Sequence, residues 1–214
     1  MNIVILVAGI FCAYLAVLYL FMKRKKSSQL THFKSRHSNA PLDEKQKRAL
    51  AFGGVLFSNR FEKILTILPE DNLDKYISGL RSEWQIDNSD SAKETLSELA
   101  NLSRSKDLDQ HIEAPLPEVK AVQKSIAKEL GISLATVENT QSTFAWDTMR
   151  AVSLARWCYW AGYLTEQETW AFIHESAETA SRLGAGWEDY TVSFLLGRTC
   201  LLYTSDAADE GLGV

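Results

Sequence analysis

The sequence predicts an all-α protein with a single N-terminal transmembrane helix followed by a compact multi-helix cytoplasmic domain. Three observations support this class. An uncharged run opens the chain, helical periodicity with capping signals fills the rest, and no alternating β-branched runs interrupt it. At 214 residues, 46% of them hydrophobic, the chain supplies one anchor and one domain with a core of its own.

The predicted membrane anchor runs from Ile3 to Met22. It has twenty residues without a charge, and a helix of that length covers about 30 Å, the thickness of the hydrocarbon core of a bilayer. Only Met1 and Asn2 precede the run, so it lacks the basic start of a cleaved signal peptide. We therefore expect an anchor that is retained.

A basic cluster follows the anchor and consists of Lys23, Arg24, Lys25 and Lys26. Short positive flanks stay in the cytoplasm, so the cluster predicts a single-pass inner-membrane protein with its N-terminus outside and its C-terminal domain in the cytoplasm. Residues 27–42 form the predicted juxtamembrane linker. Its positive charge either contacts anionic membrane lipids or is ordinary solvated charge.

The remainder of the chain is acidic. Residues 27–214 carry 19 Lys and Arg against 27 Asp and Glu, a net charge of −8 that disfavours nucleic-acid binding. Cys12, Cys158 and Cys200 stand apart, without metal spacing or a disulfide framework. The stretch that begins at His174 reads HESAE and lacks the second histidine of the zinc motif HExxH. We expect no metal and no cofactor.

Capping signals divide the predicted helical domain, residues 43–199. Ser91 with Glu94, and Thr165 with Glu168, both fit the capping-box pattern that opens a helix. These two pairs predict helix starts near residues 91 and 165.

One predicted helix carries most of the information. Gly131 stops the preceding helix, Ser133 caps the next one, and that next helix continues to about Leu164. Between Ala151 and Leu164 its only charge is Arg156, so we expect it to be buried nearly all round.

Several charged residues fall among the aromatic residues of this region, and they are the candidate site: Asp147, Arg150, Arg156, Glu168 and Arg198. Because an unpaired buried ion costs several kcal/mol, they are interpreted as structural ion pairs, with Asp147 and Arg150 three residues apart on one helix face. Catalysis would need a nucleophile or base oriented by a third group, and none is visible, so no catalytic residue is assigned. The alternative is an enzyme with a polar cleft around Asp147, Arg150, Arg156 and Glu168.

A second motif resembles a helix-turn-helix. Residues 126–137, IAKELGISLATV, have its spacing around Gly131. A DNA-reading helix presents cations, yet no Lys or Arg lies between Leu134 and Met149, so a plain helix-glycine-helix corner is favoured. A tethered DNA-binding regulator that uses residues 119–141 is the third hypothesis.

A longer pattern is specific to one family. Its residues are Gly79-Leu80, Trp84 and Ile86, then Ala145-Trp146-Asp147, Arg150-Ala151, Leu154-Ala155-Arg156-Trp157, Ala161-Gly162-Tyr163, Glu168 before Trp170, Trp187-Glu188 and Leu196-Gly197-Arg198. With this pattern the chain resembles the bacterial domain of unknown function 1266 family over about residues 50–198. The resemblance implies a helical domain and no established activity.

The end of the chain differs in character. Residues 200–214 contain CLLYTSDAADE, which resembles translated sequencing-adapter sequence, and they are predicted to be a non-native tail. The function predicted for the whole chain is a membrane-tethered helical interaction or scaffold module. It would bind an unidentified protein partner at the cytoplasmic face of the membrane.

Overall fold

The computed structural model describes residues 3–36, 40–69, 73–113 and 117–203, without the side chains of residues 3–9, 25–29, 32, 36, 118 and 201–203. Within these ranges the chain forms eleven helices and no strand, which confirms the all-α prediction. The helices are α1 (Ile3–Arg36), α2 (Glu44–Ala51), α3 (Gly54–Asn59), α4 (Leu73–Trp84), α5 (Ser89–Ala100), α6 (Ser103–Glu113), α7 (Pro117–Leu130), α8 (Leu134–Asn139), α9 (Phe144–Ala161), α10 (Glu166–Leu183) and α11 (Trp187–Tyr203). Residues 204–214, most of the predicted non-native tail, lie outside the described residues.

The predicted transmembrane anchor is contradicted. Among the residues described, no helix is both long enough and apolar enough to cross a membrane. The assignment of Ile3 to Met22 as an anchor is therefore wrong, and so are the single-pass topology and the inner-membrane location.

The basic cluster does not end α1, which continues as one helix to Arg36. Lys23 and Arg24 are exposed, and the side chains of Lys25 and Lys26 are outside those described. Because the anchor is contradicted, the membrane topology that these four residues predicted is wrong as well.

The far end of α1 contacts the rest of the fold. Phe33 is buried, and its ring meets the edge of the Tyr159 ring of α9 with 5.2 Å between centroids. Such edge-to-face contacts stabilise an aromatic pair beyond simple burial. This contact joins α1 to the central helix.

The centre of the fold is α9. Every residue from Phe144 to Trp160 is buried, which confirms the prediction of a helix buried nearly all round. The core has two parts that share this helix. Val152 and Leu154 belong to the part that includes α2 to α5 and α10, and Trp146 and Met149 belong to the part that includes α6, α7, α8 and α11.

The predicted start of this helix is wrong. Instead of one helix from Ser133 to about residue 164, the structure has α8, a short loop and then α9. The loop is stabilised by contacts from elsewhere in the chain. Asp109 of α6 accepts hydrogen bonds from the Thr143 backbone N–H (2.6 Å) and hydroxyl (2.8 Å), and the Ser193 hydroxyl of α11 accepts one from the Ala145 N–H (3.0 Å). These hydrogen bonds satisfy the N–H groups of Thr143 and Ala145, which have no partner within α9, so the helix begins at Phe144.

Of the two predicted capping boxes, one is confirmed. Thr165 and Glu168 cap α10 reciprocally. The other is wrong, because α5 begins two residues earlier than Ser91, with Asn88 as its cap and Ser91 as the return partner. Asparagine is as good a cap as serine, and its position decides the helix start.

One glycine fixes how closely α11 approaches α9. A Cβ atom at Gly197 would lie 2.5 Å from the Trp146 Cβ and 3.2 Å from the Thr143 Cβ. Such distances are below van der Waals contact, so only glycine allows the two helices this approach.

Candidate functional site

Asp147 and Arg150 form a buried ion pair on α9. The Arg150 Nη2 donates to the Asp147 Oδ1 at 2.8 Å, and both side chains are almost completely buried. The Arg150 guanidinium also lies over the Trp146 ring, 4.6 Å from its centroid, and over the Trp84 ring at 5.4 Å. These two aromatic rings stabilise the cation at its buried position.

The Asp147 carboxylate also caps a second helix. Its Oδ2 accepts a hydrogen bond of 2.8 Å from the backbone N–H of Ser105, in the first turn of α6. A carboxylate at a helix N-terminus satisfies an unpaired amide and interacts favourably with the helix dipole. Since Asp109 of α6 caps α9 in return, each of these helices supplies a carboxylate to the start of the other.

Arg156 is the centre of a second network, one and a half turns or more further along α9. It is fully buried, and its Nη1 donates to the backbone carbonyls of Lys63 (2.8 Å) and Thr66 (3.0 Å). Its Nη2 donates to Glu62, with which it forms an ion pair. The Phe57 ring lies under the guanidinium, 3.4 Å away at its centroid. Arg156 thus binds one charged group and two carbonyls of a single loop.

Three other side chains hold the same loop. The Trp157 Nε1 and the Tyr76 hydroxyl both donate to Glu62, at 3.2 Å and 3.0 Å, and the Trp160 Nε1 donates to the Ile67 carbonyl at 2.6 Å. Two of these donors belong to α9. The loop of residues 60–68, which we call the clamped loop, is therefore fixed mainly by the central helix.

The clamped loop presents an exposed aromatic ring. Phe61 is 97% exposed and has a left-handed backbone conformation, with φ of +57°. It follows α3 in a Schellman motif, in which the Glu62 N–H donates to the Phe57 carbonyl (2.8 Å) and the Phe61 N–H to the Ser58 carbonyl (3.0 Å). Glycine usually occupies this position, because a side chain there costs roughly 1–2 kcal/mol. The fold thus holds a bulky apolar residue in solvent at a position that favours glycine.

Glu168 and Arg198 lie apart from these networks. Glu168 pairs with Lys93 of α5 at 2.6 Å while it caps α10, and the contacts with Lys93 and Thr165 lower its pKa to about 2. Arg198 is half-buried on α11. The structure therefore brings Asp147 and Arg150 together, and it does not unite the five candidate residues. The four residues of the enzyme alternative belong to three separate networks among the residues that the structure describes, and that alternative stays a prediction.

Sequence reasoning missed Glu62 and Ser105, which bind Arg156 and Asp147, and it missed Asp109, which binds Thr143 at the start of α9. No local pattern marks them, since each contacts α9 across a sequence separation of 34 residues or more. Among the described residues, no group of three or more His, Cys, Asp or Glu side chains is placed to hold a metal ion.

The corner between α7 and α8 has the predicted form. Gly131 ends α7 with φ of +67°, and the Ser133 hydroxyl accepts from the Thr136 N–H at 3.0 Å to cap α8. Helix α8 ends at Asn139, so it has six residues and no Lys or Arg. A DNA-reading helix normally presents several cations and donors along the major groove.

The geometry defines a helical protein built around a buried central helix, whose charged side chains bind neighbouring helices and one loop. A comparison with protein-family models matches residues 79–211 to the family described as "Protein of unknown function (DUF1266)". This match covers more than half of the chain, and the chain belongs to that family. Neither the curated proteins nor the solved structures give a significant match.

The family match differs in extent from the resemblance drawn from the sequence. It begins at residue 79, so it includes α5 to α11 and leaves out the clamped loop. It ends at residue 211 and so extends past Arg198. The three residues of α9 that hold the clamped loop, Arg156, Trp157 and Trp160, lie within the match.

Proposed function

We propose that this chain is a helical interaction module that binds a protein partner through the clamped loop. The observation that carries the proposal is Phe61, a large apolar side chain that is 97% exposed at a backbone position suited to glycine. Binding residues are often placed on loops that a rigid scaffold positions, and a loop fixed in advance loses little entropy on binding.

The surroundings of Phe61 indicate the chemistry of the partner. Phe61 lines a cleft of about 240 Å³ that also contains Arg60, Lys63 and Lys75, with Tyr76 and Trp160 as further lining. Among the described residues that line the cleft, Glu62 is the one carboxylate, and Arg156 already binds it. An acidic segment with an apolar side chain complements these groups, because charge complementarity at the rim surrounds an apolar contact.

The direct test is a photo-crosslinking amino acid in place of Phe61, compared with the same substitution at Leu183. Leu183 is an exposed apolar residue at the end of α10 and serves as the control. We expect a discrete protein crosslink from position 61 that position 183 does not give. Equal crosslinking from the two positions would contradict the proposal.

A variant separates binding from folding. Phe61→Gly removes the ring and places the residue best suited to φ of +57°, so the protein should fold with unchanged or slightly higher stability. The crosslinked partner, once identified, should lose at least about tenfold in affinity, as for an anchor residue worth 1.4 kcal/mol or more. Unaltered affinity in a folded Phe61→Gly protein would also contradict the proposal.

A further inference from the structure

A second cavity lies away from the clamped loop, between α6, α7 and α8. Its volume is about 470 Å³, within the range of small-molecule sites. It is lined by Ile112, Glu113, Lys120, Gln123, Glu138 and Gln141. Neither the family description nor the proposed function assigns anything to it.

The informative residue is Gln123. Its side chain is only 3% exposed, yet it lines the cavity, and its amide makes no hydrogen bond to any residue that the structure describes. The Gln123 amide is not among the polar atoms that are both sealed from solvent and unpaired, so it stays open to the cavity, where a hydrogen bond to water can be exchanged for one to a ligand. A buried amide that faces a cavity is therefore suited to a ligand with a polar group.

The charges of the cavity specify that ligand further. Glu113 and Glu138 supply two carboxylates, and Lys120 supplies one ammonium group from the same face of α7 as Gln123. None of these three side chains forms an ion pair with another described residue. Ile112 adds an apolar wall.

We infer that this cavity binds a small zwitterion with more ammonium than carboxylate groups, the chemical class of the free basic amino acids. The two carboxylates accept from its ammonium groups, Lys120 donates to its carboxylate, and the Gln123 amide binds a remaining polar group. Opposite charges placed around one cavity favour this ligand over a simple anion or an uncharged molecule.

Isothermal titration calorimetry of the full chain with L-lysine and with L-glutamate tests the inference. The two probes have similar size and opposite net charge. L-lysine should give saturable binding, and L-glutamate should bind at least about tenfold more weakly. Absence of L-lysine binding, or equal binding of the two probes, would overturn the inference.

Two pairs of variants locate the binding. Gln123→Leu should weaken L-lysine binding about tenfold or more, while Gln110→Leu on the exposed face of α6 should not change it. If Gln123→Leu fails to fold, Glu138→Gln on the exposed surface of α8 gives the same test, with Glu129→Gln as its control. Wild-type affinity in a folded Gln123→Leu or Glu138→Gln protein would show that L-lysine binds elsewhere and would overturn the inference.

Discussion

At the scale of single residues, the carboxylate of Asp147 makes two interactions. One oxygen binds the Arg150 guanidinium and the other caps α6, and both partners are buried. A buried ion pair is not in itself strongly stabilising, but removing one member leaves an unpaired charge that is costly. Asp147 should therefore be far more sensitive to substitution than its small size suggests.

Replacement of Asp147 by alanine should lower the free energy of unfolding by about 3 to 5 kcal/mol, because Arg150 and the Ser105 amide both lose their acceptor. Urea unfolding of the purified protein measures this loss. The control is Asp107→Ala on the exposed face of α6, which should stay within about 1 kcal/mol of wild type. An Asp147→Ala protein as stable as this control would show that the pair is not structural.

Glu168 is predicted to give the protein a pH-dependent contribution. Its pKa is lowered from 4.5 to about 2 by hydrogen bonds from Lys93 and Thr165, so its contribution is present above about pH 4.5 and is lost as the pH falls through about 2. Glu168→Gln keeps the cap and removes the charge. The stability difference between wild type and Glu168→Gln should shrink across this window. A difference that is constant with pH, or one reproduced by the exposed control Glu175→Gln, would contradict the assignment.

At the scale of helices, the packing of α11 on α9 depends on the absence of a side chain at Gly197. Gly197→Ala should destabilise the protein by about 1–3 kcal/mol, because the added methyl would lie within 2.5 Å of the Trp146 Cβ. Gly79 provides a matched comparison inside α4, where an added Cβ has only the Glu83 Oε1 nearby, at 3.8 Å. Gly79→Ala should stabilise by up to about 1 kcal/mol, as expected for alanine in a helix. Thermal unfolding distinguishes the two, and equal effects would contradict this packing.

The helices also show what the sequence could and could not predict. The cap of α10 depends on two residues three positions apart, so Thr165 and Glu168 predicted it correctly. The break before α9 falls in the polar stretch 139–143, where the Ser142 hydroxyl accepts from the Phe144 N–H at 3.2 Å, but the contacts from Asp109 and Ser193 come from other helices and could not be predicted. In the same way, Arg156 was recognised as a buried cation in need of a partner, but Glu62 lies 94 residues away. Local chemistry was predictable, and the partners that folding brings together were not.

At the scale of the whole molecule, the reactivity of each cysteine thiol depends on how deeply the fold buries it. Burial raises the pKa of Cys158 to about 12 and that of Cys200 to about 11, whereas Cys12 is exposed on α1. Thiolates are the reactive form, so a thiol reagent at neutral pH should label Cys12 quickly and the other two only when the domain unfolds. Labelling of a Cys12→Ser variant followed by mass spectrometry checks this. Labelling of Cys158 in native protein as fast as of Cys12 in the wild type would contradict the buried position of α9.

Across the whole molecule, the buried residues of α9 hold the clamped loop in the conformation that presents Phe61. The most direct measurement is the rate of tryptic cleavage after Lys63, a residue of the clamped loop, in Glu62→Gln compared with Glu83→Gln. Glu62 is the buried carboxylate that Arg156 binds. Glu83 serves as the control, because it forms a partly exposed ion pair of 3.5 Å with Arg60.

Loss of a hydrogen-bonded charge costs about 1.5–3 kcal/mol, so local opening of the loop should become at least about tenfold more frequent in Glu62→Gln. We expect cleavage after Lys63 to accelerate by this factor in Glu62→Gln while cleavage elsewhere stays at the wild-type rate, and Glu83→Gln to behave as wild type. Cleavage after Lys63 at the same rate in all three proteins would contradict the role of Arg156 and Glu62 in holding the clamped loop.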